Sequence, residues 1–194
     1  MVAEAEARGL RIVFLGPPNS GKGTQAALLA EALGVPAIST GEMLRAAVAA
    51  GSALGARVKD VMARGELVSD ELMAEVVRQR LSQDDVAGGC ILDGYPRTVA
   101  QARTLEEILG PRGIDHVILV EAPEEVLIAR ALGRGREDDR EEVVRERLRV
   151  YRDKTAPLEA YYEDRGLLRR IDGARSIDEV QAAIESVLGV RRVG

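Results

Sequence analysis

The residues Gly16-Pro17-Pro18-Asn19-Ser20-Gly21-Lys22-Gly23-Thr24 carry the densest chemical signal in this chain. They follow the apolar run Arg11-Ile12-Val13-Phe14-Leu15 and precede an Ala- and Leu-rich stretch from Gln25 to Leu33. A strand, a Gly-rich loop with Lys, then a helix is the order a phosphate-binding loop requires. Backbone N–H groups of such a loop and of the helix start point inward and carry partial positive charge, so they hold polyphosphate oxygens. Lys22 would add a mobile charge at the β- and γ-phosphates. The spacing of Gly16, four residues, Gly21 and Lys22 fits the pattern, and an ordinary strand-to-helix turn explains neither that spacing nor the Lys. Of 27 basic residues only Lys22, Lys59 and Lys154 are Lys; the rest are Arg. A chain that uses Arg almost everywhere uses here a compact ammonium on a flexible stem. Gly23 stands where the usual pattern has a Mg²⁺-binding hydroxyl, and Thr24 follows one place later.

Two further segments could complete an anion site. In Cys90-Ile-Leu-Asp93-Gly94-Tyr95-Pro96-Arg97 an apolar strand ends in a carboxylate suited to hold Mg²⁺ through its water shell. Gly94 allows close backbone approach, Pro96 fixes the turn, and Arg97 offers a planar guanidinium for bidentate phosphate contact. In Ser39-Thr40-Gly41-Glu42-Met43-Leu44-Arg45, Thr40 can cap a helix and can also touch a base or ribose. Arg45 is a phosphate ligand if that helix borders the site and a solvated residue if it does not. Later, Gly133-Arg134-Gly135-Arg136-Glu137-Asp138-Asp139-Arg140 breaks two helical patterns with a charged loop. Asp139 with Glu142 reads as an N-cap pair for the helix that follows. A solvated turn accounts for these acids, but not for Arg130, Arg134, Arg136 and Arg147 around one junction.

The elements that must position these residues alternate along the chain. Strands are expected at 11–15, 36–39, 89–93, 117–121 and 168–171. Patterns of period near 3.6 lie at 22–33, 42–50, 54–64, 70–81, 99–109, 124–132, 138–162 and 176–188. Short, uniformly apolar strands separated by helices predict an α/β fold: a five-stranded parallel sheet with helices on both faces. Ligands then bind beyond the carboxyl ends of the strands, where the loop at Gly16 begins. Residues 39–68 contain two helical patterns and no strand, which reads as a small helical insertion. Residues 10–190 form the expected core domain, 133–143 a short loop over the site, and 1–9 an N-terminal extension.

Composition narrows the class. The 194 residues are 46% hydrophobic and 30% charged, a balance that suits a globular chain with one compact core. No apolar run approaches the ~20 residues of a membrane span, and the acidic start of the chain does not resemble a secretory signal, so a cytoplasmic location is expected. A net charge of -5 argues against general nucleic-acid binding. Any anion site must therefore be a local basic cluster on an acidic protein. A single cysteine, Cys90, permits neither an internal disulfide nor a multi-Cys zinc site, and its apolar surroundings read as those of a buried thiol. His116 opens the run 117–120 and reads as a strand-edge residue rather than a catalyst.

Taken together, these segments resemble the adenylate kinases, in their short-lid form, over nearly the whole chain. Lys22-Gly23-Thr24-Gln25 resembles the ATP loop of nucleoside monophosphate kinases, with Asn19 where Gly or Ala is more usual. The stretches 39–45 and 65–71 resemble the borders of the family's AMP-binding insertion, and Asp172-Gly173-Ala174-Arg175 its late loop near the ATP base. The resemblance implies ATP contacts from Asn19, Ser20, Gly21, Lys22, Gly23, Thr24, Arg130, Arg134 and Arg175. It implies AMP contacts from Thr40, Arg45, Glu66, Leu67, Val68, Gly94, Tyr95, Pro96, Arg97, Gln101, Arg136 and Arg147, with Gln101 reading the adenine edge. Lys22, Asp93, Arg97, Arg134, Arg136 and Arg147 are the implied catalytic set. Gly135 alone separates Arg134 from Arg136, so the lid is reduced to a loop and no zinc is expected.

The implied reaction is reversible transfer between Mg·ATP and AMP to give two ADP, by a protein expected to be a monomer. Mg²⁺ would be held on nucleotide phosphates and water near Asp93, with no direct protein ligand. A phosphate oxygen of AMP is already anionic, so no general base is required; positioning and charge stabilisation must supply the rate. Two alternatives remain open. A UMP/CMP kinase also has a short lid, although Thr40 and Gln101 favour adenine. A nucleotide-dependent switch of the same loop class would lack a second Arg-rich site, and the chain has no guanine-reading Asn-Lys-x-Asp run.

Overall fold

The computed structural model describes residues 9–135 and 140–190. Five strands, β1 (Arg11–Leu15), β2 (Ala37–Ser39), β3 (Cys90–Asp93), β4 (His116–Glu121) and β5 (Leu168–Asp172), form one sheet in the order β2-β3-β1-β4-β5. Every pairing is parallel, with Phe14 opposite Asp93 on one side and Ile118 on the other. The expected α/β class, strand count and strand direction are all present. Order reverses around β1, so the crevice beyond the carboxyl ends of β1 and β3 lies where a doubly wound sheet binds its ligand.

Period-two geometry explains why these strands are apolar at nearly every position. Val13, Leu15, Leu92, Val117 and Leu119 point to one face and join the larger core cluster. Ile12, Phe14, Ile91, Ile118 and Val120 point to the other. The second face is covered by α1 (Lys22–Leu33) and α9 (Ile177–Leu188), through Ala26, Leu29, Val180 and Ile184. The first is covered by α4 (Asp70–Leu81), α5 (Val99–Leu109) and α8 (Pro157–Glu163), through Met73, Val77, Ala102, Leu105, Leu158 and Tyr162. Between β2 and α4 lie only α2 (Thr40–Ala49) and α3 (Ala53–Ala63), which pack on each other and send Leu44 and Val58 into that same cluster. A smaller cluster joins α6 (Glu124–Arg134) to α7 (Glu141–Val150), through Leu127, Ala131, Val144 and Leu148.

Two local expectations need correction. The single helix read over 138–162 is broken: α7 ends at Val150, Tyr151–Thr155 form a π-turn, and α8 restarts at Pro157. Proline has no N–H and its ring crowds the carbonyl four residues back, so the ladder must widen before it. The N-cap of α7 is Arg140, in extended conformation and without a side-chain cap; Asp139, the expected cap, lies outside the described residues, as does Arg136. His116 is the first residue of β4, as expected, and pairs with Ile12. Burial pulls its imidazole pKa down, and neighbouring Arg169 acts the same way. Cys90 is buried and unpaired, as expected.

Leu119 is fully buried at the centre of the sheet. Leu119→Ala should cost about 2–5 kcal/mol, the range for a leucine removed from a packed core, measured as a loss of unfolding free energy in urea.

Candidate active site

Beyond the carboxyl ends of the strands the chain encloses a cleft of about 670 Å³. Its floor is the loop after β1. Gly16, at φ 137°, brings the loop so close to β4 that a Cβ there would lie 2.2 Å from the Val120 carbonyl oxygen. Asn19 follows at φ 68°, a left-handed conformation that Asn tolerates better than most residues. Gly21, also left-handed, is the N-cap of α1, and no side chain caps that helix. The first-turn N–H groups therefore have no capping side chain, and the turn carries no acidic residue of its own, which suits an anion. Asn19 Nδ2 and Ser20 Oγ are buried without a protein hydrogen-bond partner among the described residues.

Lys22 donates from Nζ to the Pro17 carbonyl at 2.9 Å. Burial pushes its ammonium down to about 8; Asp93 acts in the opposite direction, and Arg97 and Arg134 add to the lowering. Desolvation also lowers the Arg97 guanidinium, opposed by Asp93 and reinforced by Arg147 and Arg45. Arg97 is exposed by surface area, so its surroundings are those of an enclosed, wet cleft rather than a packed core. Lys22 thus has Asp93, Arg97 and Arg134 as charged neighbours, and Arg97 has Asp93, Arg147 and Arg45.

The backbone around Arg97 is tightly tied. Its Nε donates to the Gly94 carbonyl (2.8 Å), its N–H to Gln101 Oε1 (2.7 Å), and its carbonyl accepts from Thr155 Oγ1 (2.9 Å). Gln101 is 2% exposed, and its Nε2 donates to Asp70 at 2.8 Å. Thr40 does not cap α2: Ser39 holds the cap position without a side-chain bond, and the Thr40 hydroxyl donates to the Asp93 carbonyl at 3.4 Å. The late loop closes the other end. Gly173 N–H donates to the Glu121 carbonyl at 2.7 Å, and Arg130 reaches the Ser20 carbonyl at 3.3 Å. Overall the described wall carries Lys22, Arg45, Arg97, Arg130, Arg134, Arg147 and Arg175 against Glu42, Glu66 and Asp93.

A cleft lined by seven cations over a phosphate-type loop suits phosphorylated ligands. The sequence matches the family model described as adenylate kinase over residues 14–167. The chain belongs to the adenylate kinase family. It is 54% identical over 186 residues to an adenylate kinase of Xanthomonas euvesicatoria pv. vesicatoria, covering 93% of this chain and all of that one. An adenylate kinase of Thermus thermophilus is 50% identical over 188 residues, 94% of this chain and 98% of the relative. The activity is accordingly that of an adenylate kinase, a phosphotransferase acting on a nucleoside monophosphate.

Against that family's expected site, most residues lie on the cleft wall: Asn19 to Thr24, Thr40, Arg45, Glu66, Leu67, Val68, Asp93, Gly94, Pro96, Arg97, Gln101, Arg130, Arg134, Arg147 and Arg175. Tyr95 does not; its ring is 1% exposed within the larger core cluster. Glu66 turns its carboxylate to Arg64 in a bidentate pair at 2.9 Å, and Arg175 turns to Asp172 at 3.1 Å. Three wall residues carry no clear signal in the sequence. Thr155 and Tyr151 read as positions within a regular helix, and only Pro157 signals the break. Gln25 gives no signal because its bond, Nε2 to the Ile177 carbonyl at 2.9 Å, spans most of the chain.

Gly173 permits no side chain. A Cβ there would meet the Val120 side chain at 2.5 Å, the Ser20 carbonyl oxygen at 2.8 Å and the Glu121 carbonyl oxygen at 3.0 Å. Gly173→Ala should therefore lower stability by about 1–3 kcal/mol, as over-packing does, and raise the KM for ATP by displacing the loop; thermal melting and initial rates check both.

Proposed function

We propose that this cleft carries out Mg·ATP + AMP ⇌ 2 ADP with the donor on the loop at Gly16–Thr24 and the acceptor on the Arg45, Arg97 and Arg147 side. The observation that carries the reading is the charge arrangement: an acidic protein of net charge -5 concentrates basic side chains in one cleft. Arg97 has Arg147 and Arg45 among its charged neighbours, and Lys22 has Arg97 and Arg134, which supports a reading with two phosphate-bearing substrates. In the transfer, an anionic oxygen of the AMP phosphate bonds to the γ-phosphorus of ATP. The bond from that phosphorus to the β,γ-bridging oxygen breaks, and ADP leaves with the electron pair. Lys22 and Arg134 neutralise charge on the donor side, Arg147 and Arg45 hold the acceptor phosphate, and Arg97 touches charge that moves between them. Uncapped N–H groups of α1 and the unpartnered polar atoms of Asn19 and Ser20 fit further phosphate oxygens. Arg136 belongs to the reading by its place in the sequence, and it lies outside the described residues.

The donor set near the loop fits Mg²⁺ held mainly by substrate. No group of three His, Cys, Asp or Glu side chains clusters among the described residues. Mg²⁺ keeps most of its waters and commonly takes one carboxylate plus nucleotide phosphates. Asp93, at the end of β3 and beside Gly23 of the loop, is the carboxylate that would meet the water shell of such an ion without ligating it directly. When bound, the metal adds positive charge at the β- and γ-phosphates. Residues 39–68 are the acceptor-binding insertion in this reading, and 133–143 the short lid. No helix of the described residues is long and apolar enough to cross a membrane. A cytoplasmic monomer is part of the same proposal, and light scattering of the purified protein checks its oligomeric state.

A coupled assay with ATP alone and with ATP plus each nucleoside monophosphate tests the reading directly. Turnover that requires AMP, and is far slower with UMP or CMP, is expected; slow AMP-independent hydrolysis would sink it. Lys22→Ala should lower turnover by about 10²–10³, the usual effect of removing one transition-state charge contact.

A pH dependence follows from the same lysine. Its folded pKa is lowered to about 8, so the charge is present below that pH and lost above it. The dissociation constant for ATP should stay flat below pH 8 and rise above it, by up to about tenfold per pH unit if only the ammonium form binds. In Lys22→Arg that rise should be absent.

A further inference from the structure

We propose that Asp70 is a positioning residue that sets the orientation of the Gln101 amide, and with it the choice of adenine over a 6-oxopurine. The inference rests on the reading of Gln101 as the group that faces the acceptor base. Asp70 is the first residue of α4, follows the cap Ser69, and lies outside the set assigned to substrate. Its carboxylate accepts from Gln101 Nε2 at 2.8 Å and from the Thr98 hydroxyl at 3.3 Å. Thr98 in turn accepts the Gln101 backbone N–H at 3.1 Å, capping α5. At its other end the Gln101 amide accepts the Arg97 N–H at 2.7 Å.

The chemistry of the partners permits only one orientation. A carboxylate only accepts hydrogen bonds and a backbone N–H only donates. Turning the amide over would set its carbonyl oxygen against the Asp70 carboxylate and its NH₂ against the Arg97 N–H. Each hydrogen bond would give way to a repulsion, one of them against a charged group held at the buried Gln101 side chain. Each end of the amide retains one unused valence: a second N–H and a second carbonyl lone pair. Gln101 lines the cleft, so these are what a base there can meet. An adenine edge offers the 6-amino donor beside the N1 acceptor, which matches that pair. A 6-oxopurine offers a carbonyl acceptor beside an N1–H donor, which matches only the overturned amide. Asp70 therefore selects against the oxo base without touching it.

Asp70→Asn removes the constraint, because a neutral amide can present either a donor or an acceptor to Gln101. The test measures kcat/KM for AMP and for IMP in the wild-type protein and in Asp70→Asn, Asp70→Ser, Asp70→Glu and Gln101→Leu, with thermal melting to confirm folding. In Asp70→Asn and Asp70→Ser the AMP-to-IMP ratio should fall on the order of tenfold, with IMP use rising, while KM for ATP is unchanged. Asp70→Glu, which keeps the carboxylate, should retain most of the preference. A ratio unchanged in whichever neutral variant folds, alongside a Gln101→Leu protein that uses AMP poorly, would overturn the role of Asp70 and leave the Gln101 reading standing. A Gln101→Leu protein with wild-type AMP use would overturn that reading and the inference with it.

Discussion

Mutual repulsion among cations is the constraint on which this structure turns. Lys22, Arg97, Arg134, Arg147 and Arg45 each lie near others of the same sign, and the first two have their pKa lowered by burial and by that proximity. A flexible chain would relax by spreading them. They stay together because their elements end on a sheet packed on both faces, with Ile12, Val13, Phe14 and Leu15 all at 2% exposure or less. Asp93, at the end of the neighbouring strand, is the acid that favours the charged form of both Lys22 and Arg97. In the proposed reading the charge is thus stored in advance, and polyphosphate would relieve the repulsion on binding.

How much of this is legible in the sequence depends on the range of the interaction concerned. β1, α1, α4 and α5 are readable to the residue, because loop, cap and apolar spacing are local signals. The loop at Gly16 is readable for the same reason. What cannot be read is carried by contacts between distant segments. Thr40 has the composition of a cap, yet its hydroxyl serves the Asp93 carbonyl 53 residues away. Tyr95 belongs to a site motif by position, but it follows the end of β3 with its ring buried in the cluster that holds Leu92 and Leu105.

The broken helix shows how a local irregularity serves a remote group. A regular helix through 151–155 would satisfy its own backbone and leave the direction of Thr155 to the helical period. The π-turn forced ahead of Pro157 rotates that register, and Thr155, 5% exposed, reaches the Arg97 carbonyl. Arg97 is then held from three directions, by Gly94, Gln101 and Thr155, each through a different atom. Two of these bonds fix the backbone and one the side chain, so in the proposed reading less freedom must be frozen when substrate arrives. The sequence pattern registers this only as a proline in an awkward place.

The preference for Arg across the chain gives the one cleft lysine a property its neighbours lack. A guanidinium does not lose its proton in any range a protein survives, so six of the seven basic side chains on the described wall are fixed charges. Lys22 is held near the point where its charge responds to pH and to what lies beside it. Its ammonium rests on the Pro17 carbonyl, within its own loop, and its flexible stem lets it leave that acceptor for a phosphate oxygen. Exchanging a neutral carbonyl for an anion would raise the affinity of the amine for its proton, so in the proposed reading phosphate and proton bind cooperatively at this residue. An arginine could neither make that exchange nor couple it to protonation. The choice of lysine therefore concentrates the adjustable charge of the cleft at the loop, while the surrounding arginines keep the field constant.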